Sequence, residues 1–339
     1  MVRESGYGEV HPTVTVVVPT LVAGDILADC LDSLERQTFR DFEVVVVDNS
    51  GRNAVQPRQG VRVIANENNV GFGAAFNQAF RSSHATFLAV LNDDAIAATN
   101  WLEALLRAVE ARPDVGMCAS QVRLAGEAKL DSAGMLLCRD GSSKQRGHGE
   151  PPESYPRRQE VLLPSGSAAF YRREMLEEIG LFDESFFLYC EDTDLGLRAR
   201  WAAWECLYVP DAMVEHRYSH SAGQASALKA YYVERNRLFL IVKNFPISDL
   251  LLVPFYAMAR YFWHFAFAMQ GRGKAADFQR AGNSVARLPL YVLRAHFALL
   301  PRLPALWRQR RRMKRRFTPK QFRRLIRRFS IGPRQVAAL

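Results

Sequence analysis

Short β-branched runs alternate with a helix-like segment through the first hundred residues of the chain. Residues 14–18 and 43–47 are almost continuous apolar runs, typical of strands that are buried on both faces of a parallel sheet. Pro19 is expected to end the first of them, and an amphipathic helix is predicted at 25–34. With further strands predicted at 61–65 and 87–91, this order predicts an α/β fold: a Rossmann-like, mostly parallel sheet flanked by helices.

Carboxylates follow two of these predicted strands. Asp48 comes directly after the second strand, and Asn92-Asp93-Asp94 follows the fourth. Ligands of such sheets bind beyond the carboxyl ends of the strands, and hard divalent cations prefer oxygen ligands and bridge phosphate oxygens. Asp94, with Asp93 beside it, is therefore a candidate ligand for Mg²⁺ or Mn²⁺. Alternatively, these residues cap the helix that follows.

A second acidic pair, Glu191-Asp192, follows the aromatic run 186–189 at the start of a predicted helix. A carboxylate near a bound substrate can accept a hydroxyl proton, so Asp192 is the candidate general base, with Glu191 in support. The alternative is structural. Glu191, Asp192 and Asp194 would then be favourable first-turn charges that complement the helix dipole.

The basic residues are concentrated at one end of the chain. Residues 278–339 hold 17 Lys and Arg and no Asp or Glu, whereas residues 1–277 hold 28 basic and 35 acidic residues. A basic amphipathic helix is predicted at 320–331, with Phe322, Leu325, Ile326 and Phe329 on one side, which favours an anionic membrane interface. A solvated helical extension and an oligomerisation arm are the alternatives. So is a different class of protein that binds nucleic acid through the basic cluster at 308–328, but no nucleic-acid motif accompanies it.

Composition and targeting signals narrow the class of protein. The chain is 48% hydrophobic, 24% charged and 11% aromatic, and this composition excludes a chain that is disordered throughout. Its five cysteines include no C-x-x-C pair, so neither a disulfide framework nor a zinc cage is expected. Residues 1–12 lack the apolar run of a secretory signal, and the apolar stretch 250–269 is interrupted by Pro254, Arg260 and His264. A cytoplasmic protein, peripheral on the inner face of the membrane, is predicted.

Several short motifs occur in a fixed order along residues 13–220. They are Val17-Val18-Pro19-Thr20, Val46-Val47-Asp48-Asn49-Ser50, Asn69-Val70-Gly71-Phe72-Gly73, Leu91-Asn92-Asp93-Asp94, Gly166-Ser167-Ala168, Phe182-Asp183-Glu184, Glu191-Asp192 and Leu197-Arg198. Together they resemble bacterial family 2 glycosyltransferases of the GT-A fold. Within that family the chain is similar to the rhamnosyltransferase and galactofuranosyltransferase-like group, which builds cell-surface polysaccharides.

The resemblance implies an inverting transfer from a nucleotide-sugar donor to a saccharide or lipid-linked saccharide acceptor. It implies that the substrate- and nucleotide-binding residues are Pro19, Thr20, Asp48, Asn69, Gly71, Asn92, Asp93, Gly166 and Glu191. Among these, Asp48 would hydrogen-bond to the edge of the nucleotide base, and Asp93 would contact the ribose or the donor sugar. Asp192 would be the base, and Asp94 and His216 would bind the metal, although a single histidine is often structural.

Two departures from the family pattern leave the identity of the donor's nucleotide open. Leu21 stands where many relatives have an aromatic residue, and Phe76 stands where many have an arginine. The leading donor is dTDP-rhamnose, followed by a UDP-sugar such as UDP-galactofuranose or a UDP-N-acetylhexosamine. A third interpretation is a degenerate module that binds sugar nucleotides without turnover.

The predicted organisation has three parts. A tail covers 1–12 and a catalytic domain covers 13–225, divided into a nucleotide-binding half (13–118) and an acceptor half (119–225). Residues 226–339 are predicted to form a helical, basic, membrane-associating region, and a homo-oligomer is possible.

Overall fold

The computed structural model of the protein describes residues 11–217 and 226–339. The strands are β1 Val14–Thr20, β2 Phe42–Asp48, β3 Val61–Ala65, β4 Phe87–Leu91, β5 Ala95–Ala97, β6 Val115–Leu124, β7 Leu130–Ser132, β8 Met135–Leu137, β9 Ser143–Gln145, β10 Gln159–Glu160, β11 Ala168–Arg172 and β12 Glu205–His216. The helices are α1 Asp25–Glu35, α2 Phe72–Arg81, α3 Trp101–Val109, α4 Arg173–Ile179, α5 Glu191–Trp201, α6 Ala227–Asn244, α7 Ile247–Leu250, α8 Val253–Met269, α9 Gly273–Arg280, α10 Leu288–Leu299, α11 Leu303–Arg312, α12 Pro319–Arg328 and α13 Pro333–Ala338.

One twisted sheet spans residues 14–216, with strand order β10-β12-β6-β11-β4-β1-β2-β3. Strands β3, β2, β1 and β4 are parallel, β11 is antiparallel to both β4 and β6, and β12 is parallel to β6. The carboxyl ends of β1, β2, β4 and β12 therefore lie at the same edge of the sheet. This confirms the predicted α/β fold and brings the ends of β4 and β12 together.

The prediction that Pro19 ends the first strand is wrong. The carbonyl of Thr20 accepts a hydrogen bond from the Asn49 N–H on the β2 side, so the nitrogen of Pro19 points to the opposite side of the strand. Pairing with β4 on that side already stops at Val17. A proline there removes no ladder hydrogen bond, and β1 continues to Thr20.

The basic amphipathic helix predicted at 320–331 is present as α12, but its membrane-facing role is wrong. Phe322 is fully buried and stacks on Trp201, with ring centroids 3.9 Å apart. Phe329 is also buried, and Leu325 and Ile326 pack against the same hydrophobic cluster. An apolar stripe fits the surface of a protein domain as well as it fits a lipid surface, and here the domain covers it.

Arginines of the basic cluster at 308–328 form ion pairs and hydrogen bonds with other parts of the chain. Arg316 pairs with Glu178, Arg323 with Asp249 and Arg328 with Glu160. Arg310 donates to the backbone carbonyl of Val242. Several of these positive charges therefore already have partners within the protein, which weakens the case for a nucleic-acid surface.

A different part of the C-terminal region presents an apolar face to solvent. On and next to α8 the exposed residues recur every three or four positions, and the same spacing continues on and after α10. We call this surface the apolar face; it comprises Leu251, Phe255, Met258, Phe262, Phe265, Met269, Leu290, Leu293, Phe297 and Leu300. Among the helices in the described parts of the chain, none has the length and apolarity needed to cross a bilayer.

Buried ion pairs join the C-terminal helices to the acceptor half. The Lys243 ammonium on α6 lies 2.6 Å from Asp183 and 2.9 Å from Asp194 of α5. The Arg260 guanidinium on α8 lies 2.5 Å from Asp140 and 2.8 Å from Glu234. Removing one partner of such a buried pair costs about 3–5 kcal/mol, because the other charge stays buried without compensation. The C-terminal helices are thus an integral part of the same fold as the sheet.

Candidate functional site

A cavity of about 570 Å³ opens at the carboxyl edge of the sheet and extends under the C-terminal helices. Most of the residues predicted for the site line it: Pro19, Thr20, Asn69, Asn92, Asp93, Asp94, Gly166, Glu191, Asp192 and His216. Asp48 and Gly71 are not among its lining residues. The structure therefore brings both acidic pairs into one cavity, although roughly a hundred residues separate them in sequence.

Asp48 is directed at the backbone of the loop that follows it. Its carboxylate accepts hydrogen bonds from the N–H groups of Ser50, at 2.8 Å, and Val55, at 3.1 Å. Burial alone would raise the pKa of this carboxyl, but the hydrogen bonds from Ser50 and Val55 outweigh it and lower the pKa. In this arrangement Asp48 shapes the loop, and its neighbour Asn49 faces the cavity.

Gly71 occupies a point of close approach between the two halves of the catalytic region. Its φ is +86°, and a Cβ there would lie 2.3 Å from the backbone oxygen of Phe187. The next residue, Phe72, donates its N–H to that oxygen at 3.1 Å. Only glycine fits this position, so Gly71 acts through its backbone and not by facing the cavity.

Asp93 joins the ends of β1 and β4. One of its oxygens accepts a hydrogen bond from the Thr20 hydroxyl at 2.7 Å. Burial is the main influence on this carboxyl and raises its pKa, even though the hydrogen bond from Thr20 lowers it. Thr20 and Asp93 thus form a polar pair on the cavity wall.

His216 lies between two carboxylates at the end of β12. Its Nε2 is 3.1 Å from Asp94 Oδ1, and its Nδ1 is 2.9 Å from Asp131 Oδ2. Burial alone would lower the pKa of His216, but the hydrogen bonds with Asp131 and Asp94 outweigh it and raise the pKa to about 9. In the metal-free site the imidazole is therefore a cation at neutral pH, and its positive charge offsets part of the negative charge of the two acids.

Asp94 and His216 are a candidate pair of ligands for a divalent cation, with Asp131 behind the imidazole. Ligand atoms at right angles around an octahedral ion, with bonds of about 2.1 Å, lie about 3 Å apart, close to the separation of Asp94 Oδ1 and His216 Nε2. Metal-binding histidines usually donate their second N–H to a carboxylate, and Asp131 supplies one here. Within the described ranges, no group of three His, Cys, Asp or Glu side chains has the arrangement of a complete metal site. Substrate phosphates and water would then supply the remaining ligands.

Asp131 is the residue of this site that sequence reasoning missed. It lies in the three-residue strand β7, inside a Gly- and Ser-containing stretch that gives no periodic signal. It is buried, and His148 Nδ1 lies 3.3 Å from its second oxygen. An isolated acid in a short strand can be assigned only once the pairing of the strands is known.

Asp192 and Glu191 have different environments although they are adjacent. Asp192 is half-buried; its Oδ2 accepts the Gly166 N–H at 3.0 Å and its Oδ1 accepts the Thr193 N–H at 2.6 Å. Burial outweighs these hydrogen bonds and raises the pKa of Asp192. Burial, followed by the neighbouring charge of Asp192, raises the pKa of Glu191 well above its ordinary range, and Glu191 Oε2 has no hydrogen-bond partner among the described residues. The larger upward shift at Glu191 favours its neutral form, which leaves Asp192 as the candidate proton acceptor.

The segment leading into Asp192 has strained backbone angles. Phe187, Tyr189 and Cys190 all have positive φ, at 64°, 68° and 67°. The side-chain amide of Asn236 on α6 holds the segment by donating to the carbonyls of residues 186, 188 and 189 at 2.7–2.8 Å. Backbone strain of about 1–3 kcal/mol per residue persists only where the surroundings fix it, and it often marks a functional site.

The chain belongs to glycosyl transferase family 2. The sequence model of that family matches residues 15–180. It is 32% identical over 247 residues to an N-acetylglucosaminyl-diphospho-decaprenol L-rhamnosyltransferase of Mycobacterium tuberculosis, a match that covers 64% of this chain and 80% of the relative. An uncharacterised glycosyltransferase of Bacillus subtilis, YwdF, is 27% identical, covering 63% of this chain and 77% of that protein.

Two solved structures show the same fold at low sequence identity. GalNAc-T7, solved with UDP, GalNAc and Mn²⁺, superposes with a TM-score of 0.55 at 16% identity, covering 69% of this chain and 49% of that one. A TarS fragment from S. aureus in complex with UDP gives a TM-score of 0.50 at 17% identity, covering 93% of this chain and 90% of that one. These likenesses confirm the predicted GT-A fold.

Proposed function

We propose that this protein is an inverting, metal-dependent glycosyltransferase that transfers rhamnose from dTDP-rhamnose to a lipid-linked saccharide in cell-surface polysaccharide synthesis. The observation that carries the proposal is that one cavity holds the Asp94–His216 pair and the half-buried Asp192. The similarity to the mycobacterial rhamnosyltransferase supports the choice of sugar and of acceptor class. A UDP-sugar is the alternative donor, because Leu21 and Phe76 depart from the family pattern and leave the identity of the nucleotide open.

The proposed chemistry is a single in-line displacement. Asp192 accepts the proton of the acceptor hydroxyl, whose oxygen forms a bond to the anomeric carbon as the bond to the diphosphate breaks. Asp94 and His216 would hold Mg²⁺ or Mn²⁺, which when bound neutralises the departing diphosphate. Thr20 and Asp93 would contact the donor from the nucleotide-binding half.

A donor panel tests this proposal. Purified full-length protein with Mn²⁺ is incubated with dTDP-rhamnose, UDP-galactofuranose, UDP-N-acetylglucosamine or GDP-mannose, and with farnesyl-diphospho-N-acetylglucosamine as the acceptor. We expect transfer from dTDP-rhamnose at a rate at least about tenfold above the others, since one well-placed contact of about 1.4 kcal/mol accounts for that factor. A UDP-sugar as the preferred donor would establish the alternative. No transfer from any donor would contradict the function.

We also propose that the protein attaches to an anionic membrane through the apolar face, and not through α12. Phe255, Phe262 and Phe265 are 70%, 61% and 67% exposed, and burying each in lipid is worth about 1.5–3 kcal/mol. Exposed Arg287 and Arg294 flank the α10 part of the face. This combination of apolar and basic side chains matches an anionic lipid surface.

Substitution of the three phenylalanines by serine tests the membrane proposal. The triple variant is expected to bind phosphatidylglycerol vesicles at least about tenfold more weakly in a flotation assay, with an unchanged melting temperature because the side chains are exposed. Leu228→Ser, at an exposed residue outside the face, is the control and should bind like the wild type. Unchanged flotation of the triple variant would refute the proposal. So would a change from oligomer to monomer in light scattering, since a second copy would then cover the face.

A further inference from the structure

The part of the cavity that lies under the C-terminal helices differs in chemistry from the part around Asp94. It is lined by lysines from three separate elements, namely Lys144 of β9, Lys229 of α6 and Lys274 of α9. Apolar and aromatic side chains lie beside them, including Phe278, Leu288 and Tyr291. We call this part the lysine pocket. Donor chemistry at Asp94 and Asp192 uses none of these residues.

The lysine pocket has an excess of positive charge. Lys144 forms no ion pair with any residue in the described ranges, and Lys274 approaches only Asp277, at 4.0 Å. Asp277 is shared with Arg280. Burial, followed by the charges of Lys274 and Lys229, lowers the pKa of Lys144 to about 7. The positive charges therefore repel each other, and an anion bound among them would relieve that repulsion.

Two buried acids of the C-terminal attachment do not supply this anion. Glu234, which lines the cavity, and Asp140 are both paired with Arg260. Burial would raise the pKa of Glu234, but the charges of Arg237 and Arg260 outweigh it and hold that pKa far below its ordinary range. The charge of these two acids is already balanced by arginines, so they do not neutralise Lys144 or Lys274.

We propose that the lysine pocket binds the diphosphate of a polyprenyl-diphosphate-linked acceptor, with its first prenyl units against Phe278, Leu288 and Tyr291. This inference rests on the proposed function, because it assigns a site to the acceptor's lipid side. Lysine ammonium groups are established partners of phosphate oxygens, and the adjoining apolar lining suits a prenyl chain. The pocket joins the site of Asp192 in one cavity, and α10, which lines it, also carries part of the apolar face. A lipid anchored in the membrane could thereby present its sugar to Asp192.

A binding experiment without donor or metal tests the pocket directly. Farnesyl diphosphate is titrated into the full-length protein in EDTA, so that binding to a metal at Asp94 is excluded. Lys144→Met and Lys274→Met are each expected to weaken binding at least about tenfold, the effect of losing one charge-assisted hydrogen bond. Lys129→Met is the matched control: this lysine is 55% exposed, pairs with Glu127 and lies outside the cavity, so its loss should change the Kd less than twofold.

Two further ligands identify what the pocket recognises. Inorganic diphosphate and farnesol should both bind more weakly than farnesyl diphosphate. Inorganic diphosphate lacks the prenyl chain, and farnesol lacks the diphosphate. Inorganic diphosphate binding as tightly as farnesyl diphosphate would overturn the proposal, since the apolar lining would then contribute nothing. Farnesyl diphosphate affinity that is unchanged in both lysine variants would also overturn it.

KM values for two acceptors, one with a diphosphate and one without, test this inference separately from the proposed function. The lysine variants should raise the KM for farnesyl-diphospho-N-acetylglucosamine at least about tenfold while leaving the KM for octyl N-acetylglucosaminide, which has no phosphate, within twofold of wild type. A raised KM for the nucleotide sugar instead would assign the lysines to the donor and overturn the inference. If neither acceptor is glycosylated but farnesyl diphosphate binding still depends on Lys144 and Lys274, the proposed function fails and the pocket stands.

Discussion

Asp192→Asn is expected to lower kcat by about a thousandfold, within the range that positioned general bases contribute. The amide cannot accept the hydroxyl proton, and donor binding should change less than about threefold because the nucleotide residues lie on other elements. Rapid-quench turnover and calorimetric binding of dTDP-rhamnose measure the two quantities separately. A rate near that of the wild type would show that another group takes the proton.

Glu191→Gln is the matched comparison for that experiment. Burial and the charge of Asp192 raise the pKa of Glu191 well above its ordinary range, which favours the neutral carboxyl, and glutamine replaces it with a neutral amide of nearly the same size. We expect turnover to fall less than about tenfold. A loss as large as that of Asp192→Asn would mean that the two carboxyls act as a coupled pair, and the division of roles between them would have to be abandoned.

Asp94→Asn is expected to reduce turnover by about a thousandfold and to raise the Mn²⁺ concentration needed for half-maximal activity. The reason is the loss of one proposed anionic ligand beside His216, where the metal would neutralise the diphosphate. Asp131→Asn should weaken metal affinity by about 10–100-fold, because the Asp131 carboxylate lies 2.9 Å from His216 Nδ1 and would orient the imidazole. Metal titrations of activity after EDTA treatment measure both effects.

The control for the metal series is Asp211→Asn, at an exposed residue of β12 away from the cavity, which should titrate like the wild type. Wild-type protein that keeps full activity in EDTA would refute the metal assignment altogether. An Asp131→Asn variant with unchanged metal affinity would leave Asp94 in place and reduce Asp131 to a structural partner of His216.

Much of the structure of residues 13–225 could be predicted from the sequence, because the signals for it are local. Runs rich in β-branched residues identified β1, β2 and β3, and an apolar run identified β4. The acids that end β2 and follow β4 identified the edge of the sheet that carries Asp94. The motif that contains Asp192 begins a helix, as expected. In each case the physical cause, such as burial on both faces or termination at a polar residue, acts within a few residues.

The remaining features depend on contacts that local sequence does not encode. Asp131 faces His216 only because β7 and β12 both pair with β6, and Asn236 supports the segment before Asp192 from α6. The stripe of α12 has the same periodicity whether it faces lipid or Trp201. The exposed stripes of α8 and α10 became visible only when the structure showed which helix the domain covers.

The buried contacts of Lys243 with Asp183 and Asp194 limit how this enzyme can be recombined with its relatives. Asp194 lies on α5, two residues after Asp192, so exchanging the C-terminal helices changes the electrostatic environment of the helix that carries the proposed base. A chimera that takes residues 226–339 from another family member would have to retain a cation equivalent to Lys243, together with an amide equivalent to Asn236. Under the proposed role of the lysine pocket, acceptor specificity is therefore not a separable module in this chain, and we expect changes to it to alter catalysis at the same time.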